Sequence, residues 1–114
     1  ASCGAVSASC ASGAALAYLD GQPLSVIKMT IYNTLANTPG IICDGAKISC
    51  AAKIASSLDA ALMAYNLAQR GLSYQPHSGI LKEDVQETIS CVGHIGRDGM
   101  RQTDIEILKM MLAD

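Results

Sequence analysis

Apolar residues recur every three or four positions along most of this chain, which is the spacing of one face of an α-helix. No stretch keeps the strict alternation of apolar and polar residues that a half-buried strand shows. Glycine and proline steps divide the pattern into segments. We therefore predict an all-α fold, a bundle of about five helices with short connections, at about residues 3–19, 23–36 and 44–70, from about residue 81 and from about residue 103.

Several residues predict where these helices begin and end. Asp44 is a good N-cap residue for the third helix, and Gly71 is a good stop for it. The run Thr103-Asp104-Ile105-Glu106 resembles the capping box of the last helix. Three glycines between residues 93 and 99 predict a kink or a break before that helix.

Four of the predicted helices carry a stripe of large apolar residues that we expect to face the core. The stripes are Leu24, Ile27, Ile31 and Leu35 in the second helix; Ala51, Ile54, Leu58, Leu62 and Tyr65 in the third; Leu81, Val85, Ile89 and Val92 in the fourth; and Ile107, Leu108, Met111 and Leu112 in the last. The first helix instead has faces of Ala, Ser and Gly, which suit close packing of helices.

The composition is unusually apolar for a domain that functions alone. Hydrophobic residues make up 50% of the 114 positions and charged residues 16%, with no Phe and no Trp. The chain begins at Ala1 without Met, directly in helical pattern. We expect a single helical domain over residues 1–114, cut from a longer protein, with one apolar face covered by the missing part or by a second copy. The first helix is our candidate for contact in such a homo-oligomer.

Charge and cysteine content exclude several classes of protein. A net charge of −2 and few aromatic residues argue against a nucleic-acid partner. Residues 1–19 carry no charge, but their serines and glycines make a membrane span unconvincing. Five cysteines cannot form a complete set of disulfides within the chain. We therefore expect a cytoplasmic protein with reduced thiols, no membrane contact and no nucleic acid.

Three cysteines are candidates for a soft metal centre. Cys43 and Cys50 flank a turn that contains Gly45, and Cys3 lies far upstream. Thiolates are the preferred ligands of zinc and of iron–sulfur clusters, and three ligands leave one metal position open for substrate. Buried, non-ligating cysteines are the alternative. We assign Cys91 to the core, and Cys10 likewise unless Cys3 proves too remote.

Four segments resemble a known family. They are the Gly-Ala-rich helix after Cys3, Ile41-Ile42-Cys43-Asp44-Gly45-Ala46, Cys50-Ala51-Ala52-Lys53 and Met100-Arg101-Gln102-Thr103-Asp104. Together they resemble the C-terminal part of bacterial L-cysteine desulfidases, a family related to the α chain of iron–sulfur L-serine dehydratases. The resemblance covers essentially the whole chain. The intervals of 40 and 7 residues between the three cysteines agree with the pattern that holds a [4Fe–4S] cluster in this family.

The resemblance implies an amino-acid lyase. Its reaction is β-elimination from L-cysteine or L-serine, which gives pyruvate and ammonia together with sulfide or water. We expect Cys3, Cys43 and Cys50 to be the cluster ligands, with sulfurs roughly 6–8 Å apart. Family members are several times longer, and a catalytic Cys-Thr-Glu-Pro-type segment of theirs is absent here. We therefore expect the chain alone to be an inactive cluster-binding fragment, with an unknown general base.

Lys53 and Asp44 are the candidate substrate-binding residues. Lys53 follows Cys50 by one helical turn, where its ammonium can meet a substrate carboxylate, or else bind a backbone carbonyl or reach solvent. Asp44 can also be an N-cap alone. The competing class for the whole chain is a helical interaction or structural domain whose cysteines bind no metal.

Overall fold

The computed structural model describes residues 2–113. Its helices are α1 Gly4–Leu19, α2 Leu24–Asn37, α3 Cys50–Gln69, α4 Val85–His94 and α5 Arg101–Leu112, with a π-helical turn at Ile95–Gly99 between the last two. The described residues form no strand, and one isolated antiparallel bridge pairs Ser2 with Ile42. The prediction of an all-α fold with five helices is confirmed.

The core lies where α1, α2 and α3 pack against one another. The contact between α1 and α3 is made by small residues, because a Cβ placed on Gly13 would lie 3.1 Å from the Cβ of Ala61. Ala17, Ala61 and Ala68 are at most 1% exposed. The expectation that the first helix packs closely through its small residues is therefore confirmed.

The predicted apolar stripe of α3 is wrong except at Tyr65, which is buried. Ile54 is 54% exposed, Leu58 39% and Leu62 42%. The alanine face is turned inward instead, because helices this close leave no volume for branched side chains. The same correction applies to Leu24 of α2, which is 63% exposed.

The centre of the core contains buried polar side chains, and Asn33 is the one that joins the most segments. Asn33 is 1% exposed; its amide donates to the Leu72 carbonyl at 3.0 Å and to the Ala64 carbonyl at 3.4 Å. Its Oδ1 accepts from the Tyr74 amide at 3.2 Å. The Thr34 hydroxyl donates to a carbonyl one turn earlier in α2. Asn33 thus ties α2 and α3 to the loop that follows α3.

Two helices begin later than the sequence predicts. α3 starts at Cys50 rather than near Asp44, and α4 starts at Val85 rather than near Leu81. The reason at α4 is Asp84, whose carboxylate accepts from the Glu87 amide at 2.8 Å and so caps the helix there. The end of α3 is as expected, since Gly71 follows it with a φ of +72°.

The last part of the chain packs loosely. The glycine-rich break is confirmed as the π-helical turn Ile95–Gly99, but the predicted capping box is wrong, because α5 begins at Arg101 and Thr103 lies inside it. Within Arg101–Leu112, which the structure describes throughout, no residue is buried. None of the helices in residues 2–113 is long and apolar enough to cross a membrane.

Candidate metal centre

Cys3 and Cys50 line the same cleft at the beginning of two helices. Cys3 precedes α1 directly and Cys50 opens α3. The cleft between the two helices has a volume of about 480 Å³. Small residues of α1 and the side chains of Ile54 and Leu58 complete its walls. Since Gly13 also meets Ala61 further along, the two helices run in the same direction and present both thiols at one end.

Cys43 lies on the segment that passes beside Cys3. The Cys3 amide donates to the Ile41 carbonyl at 2.8 Å, and Ser2 pairs with Ile42 in the isolated bridge. Cys43 itself is exposed and is not among the residues that line the cleft. The structure therefore brings Cys3 and Cys50 together and places Cys43 on a neighbouring segment.

The turn between Cys43 and Cys50 depends on Gly45. Gly45 has a φ of +97°, a conformation that residues with a side chain rarely adopt. The Cys50 Sγ is 3.5 Å from the Gly45 carbonyl and also 3.5 Å from the Lys47 amide. A Cβ on Gly45 would lie 2.8 Å from the terminal methyl of Met111, so the end of α5 rests on this turn.

Asp44 and Lys53 contact each other, which the sequence did not predict. The Lys53 ammonium donates to Oδ1 of Asp44 at 2.7 Å and to the Ile42 carbonyl at 3.0 Å. Lys47 also pairs with the Asp44 carboxylate. The sequence allowed Asp44 to be the N-cap of α3, but α3 begins only at Cys50. The Asp44 carboxylate binds Lys47 and Lys53 instead.

These contacts change the pKa values of both groups. Hydrogen bonds first from Lys47 and then from Lys53 lower the pKa of Asp44 to about 2, from its usual 3.8. The hydrogen bond to Asp44 raises the pKa of Lys53, against an opposing contribution from desolvation. Electrostatic attraction by Cys50 and Cys3 adds to that rise. Lys53 is therefore a cation bound to the Cys43 segment, although it is not among the residues that line the cleft.

The other two cysteines lie elsewhere. Cys10 is buried, and burial raises the pKa of its thiol against a smaller opposing effect of the Thr34 side chain. Cys91 lines a separate cleft beside His94, and His94 pairs with Asp98 at 3.1 Å. Neither Cys10 nor Cys91 borders the cleft that holds Cys3 and Cys50.

The donor set available for a soft metal centre is two thiols at one cleft and a third on the neighbouring segment. All five cysteines of the described chain are free thiols. Within residues 2–113, no group of three or more His, Cys, Asp or Glu side chains is close enough to hold one ion. A [4Fe–4S] cluster would need its thiolates on separate corners; Cys3 and Cys50 share a cleft, and Cys43 lies on the adjacent segment outside it.

Sequence reasoning missed three contributors to this region. They are the Ile42 carbonyl, Lys47 and Met111. The spacing of Lys47 three residues after Asp44 was the one available signal. No signal in the sequence points to the Ile42 carbonyl or to Met111, which lies near the far end of the chain.

The fold and the site together define the class of protein: a helical domain with cysteines at the start of two parallel helices. Residues 1–109 match the family model described as serine dehydratase alpha chain. The chain therefore belongs to the serine dehydratase alpha chain family. The predicted relationship to that family is confirmed, whereas the closer relationship to L-cysteine desulfidases stays a prediction.

The chain is also similar to several bacterial proteins named UPF0597. It is 44% identical over 110 residues to the one from Finegoldia magna and 49% identical over 110 residues to the one from Lachnoclostridium phytofermentans, in both cases over 96% of this chain and 26% of the relative. The one from Treponema denticola is 46% identical over 112 residues, 98% of this chain and 26% of the relative. The chain thus spans about a quarter of these relatives. No solved structure matches it.

Proposed function

We propose that this chain is the cluster-binding part of an iron–sulfur-dependent amino-acid lyase, with Cys3, Cys43 and Cys50 each ligating one iron of a [4Fe–4S] cluster. The observation that carries the proposal is the shared cleft of Cys3 and Cys50, with Cys43 on the segment hydrogen-bonded beside it. Membership of the serine dehydratase alpha chain family supports it.

The open iron of such a cluster supplies a Lewis acid without a change of redox state. The chain's own residues bind the substrate. Two of the three Lys53 ammonium hydrogens are used by Ile42 and Asp44, which leaves one for a substrate carboxylate. Asp44 remains ionised above about pH 2 and can accept from the ammonium of an amino acid.

The substrate class is a small L-amino acid with a leaving group on its β-carbon. L-serine would lose water and L-cysteine would lose sulfide, and in either case hydrolysis of the remaining enamine by water would give pyruvate and ammonia. The removal of the α-proton needs a base at hydrogen-bond distance. The described cleft offers no group suited to this, since its polar lining consists of thiols and serine hydroxyls. We expect the remainder of the longer protein to supply the base, and the chain alone to be inactive.

Anaerobic reconstitution with iron and sulfide tests cluster binding directly. We expect broad visible absorption that bleaches on reduction, and about four irons per chain. Cys3→Ser, Cys43→Ser and Cys50→Ser should each lower the bound iron strongly. Cys91→Ser is the matched control and should bind as much iron as the parent chain. Equal loading of all four variants would contradict the ligand assignment.

A helical interaction domain without metal is the second candidate. The exposed stripe Ile54, Leu58 and Leu62 on α3 favours it, because contiguous apolar surface usually marks a contact with another protein. Failure of the chain to take up iron, together with dimerisation in sedimentation that Leu58→Glu abolishes, would favour this candidate over the lyase.

A further inference from the structure

Lys53 holds the chain on both sides of Cys43. Its ammonium donates to the carbonyl of Ile42, the residue before Cys43, and to the carboxylate of Asp44, the residue after it. The Lys53 side chain is 18% exposed, and its bond to Asp44 is partly buried, whereas its bond to Ile42 is exposed. Because Lys53 sits one turn after Cys50 in α3, one side chain connects the Cys43 segment to the helix that carries Cys50.

The same segment also holds Cys3. The Ile41 carbonyl accepts from the Cys3 amide at 2.8 Å, and Ile42 pairs with Ser2. The peptide that Lys53 binds is therefore next to the peptide that fixes Cys3. Release of Ile42 from Lys53 would loosen Cys43 directly and Cys3 through Ile41.

We infer that Lys53 is a positioning residue for the thiol site, which sets Cys43 and Cys3 relative to Cys50. The role of this positioning rests on the proposed cluster-binding function, whereas the contacts of Lys53 with Ile42 and Asp44 are present without any metal. A charged group is suited to this task, because bonds from an ammonium to a carboxylate and a carbonyl are stronger than those between neutral partners.

Lys47 supplies a natural control. It pairs with the same Asp44 carboxylate, but it lies within the turn, its side chain is 46% exposed, and Ile42 accepts its bond from Lys53 instead. Lys47→Met therefore removes a charge next to Asp44 and leaves the connection to α3 in place. Lys53→Met removes that connection, and Lys53→Arg keeps a cation able to donate to both partners.

The first test measures solvent exchange of the Cys3 amide by NMR in the metal-free chain, with circular dichroism to verify that each variant is folded. We expect Lys53→Met to accelerate this exchange about tenfold, as the loss of a charge-assisted hydrogen bond would. Lys53→Arg should restore most of the protection, and Lys47→Met should change it little. Unchanged exchange in folded Lys53→Met would overturn the inference.

The second test follows removal of iron by a chelator after anaerobic reconstitution. Faster loss from Lys53→Met than from Lys47→Met, with rescue by Lys53→Arg, supports a positioning role. Faster amide exchange with unchanged iron loss would mean that Lys53 merely orders the turn, and would overturn it. If the parent chain binds no iron, the proposed function fails while the exchange data still decide whether Lys53 positions the thiols.

A further variant covers the case in which Lys53→Met does not fold. Asp44→Asn weakens one of the two Lys53 contacts and keeps the bond to Ile42. It should accelerate Cys3 amide exchange by less than tenfold but more than Lys47→Met does. An effect no larger than that of Lys47→Met would contradict the connection through Lys53.

Discussion

The α1–α3 core and helix α5 differ in which side chains they bury. In the core, the buried positions of α3 are mostly alanines, together with Ser57 and Tyr65. In α5, large apolar side chains are present but exposed: Ile105, Leu108, Met110, Met111 and Leu112. The difference teaches that closeness of helix approach, rather than side-chain size, determines burial here. The large side chains of α5 remain exposed in this chain.

Asn33→Ala should have the largest effect on the core. It removes hydrogen bonds to the Leu72 carbonyl and from the Tyr74 amide, and it leaves a cavity at a residue that is 1% exposed. We expect a loss of about 3 kcal/mol in the free energy of unfolding, measured with urea. Asn66→Ala on the exposed face of α3 is the control and should cost little. A similar loss there would show that burial of the asparagine does not determine the effect.

Gly13→Val tests the close approach of α1 and α3. The new side chain would meet the Cβ of Ala61, which cannot rotate away, so the helices must separate. We expect a loss of about 2 kcal/mol in urea unfolding. Gly93→Ala is the matched change in α4, where no atom lies within 4 Å, and it should gain about 0.5 kcal/mol. A stable Gly13→Val variant would show that the contact is loose.

The turn between α2 and α3 contains the ion pairs of Asp44 with Lys47 and Lys53, and these pairs respond to acid. Because the pKa of Asp44 is lowered to about 2, its ion pairs stabilise the fold above its usual value of 3.8 and are lost as pH falls toward 2. NMR titration of the Asp44 carboxyl should give a midpoint near the lower value. Lys47→Met should move it upward, whereas Lys28→Met, remote on α2, should not.

Leu108→Ala in α5 should have the smallest effect. Leu108 is 55% exposed, so we expect a change within about 0.5 kcal/mol in urea unfolding. Leu35→Ala, at a position only 7% exposed in α2, should cost about 2 kcal/mol. If the two leucines cost the same, α5 is packed in solution and the contrast between the two regions is wrong.

The number of helices could be predicted from sequence, but the inward face of α3 could not. Ile54, Leu58 and Leu62 recur with the same period as Ser57, Ala61 and Ala68, so periodicity reveals the helix without choosing between its faces. The choice depends on how closely α1 approaches. That distance follows from Gly13 meeting Ala61, a contact between residues far apart in the chain.

The site was predictable only in part, for a similar reason. Cysteine spacing pointed to Cys3, Cys43 and Cys50; the structure places Cys3 and Cys50 at one cleft and Cys43 outside it. Asp44 satisfied the rules for an N-cap, yet its carboxylate binds Lys53 and Lys47 instead. Rules based on neighbouring residues cannot predict whether the Asp44 carboxylate binds a backbone amide or two lysine ammonium groups, because one of those lysines, Lys53, lies in the next helix.

The contacts around Cys3 also set the order in which the chain can fold. The Cys3 amide meets Ile41 across the whole of α1 and α2, and Ser2 lies against Gly96 across four helices. Helices form locally within microseconds, whereas closing such long loops costs entropy first. We expect the contact of Cys3 with Ile41 to form after the helices α1 and α2 themselves, because those helices form from local contacts. In refolding followed by pulsed hydrogen exchange, the Cys3 amide should gain protection after the amides of α2, and simultaneous protection would contradict this order.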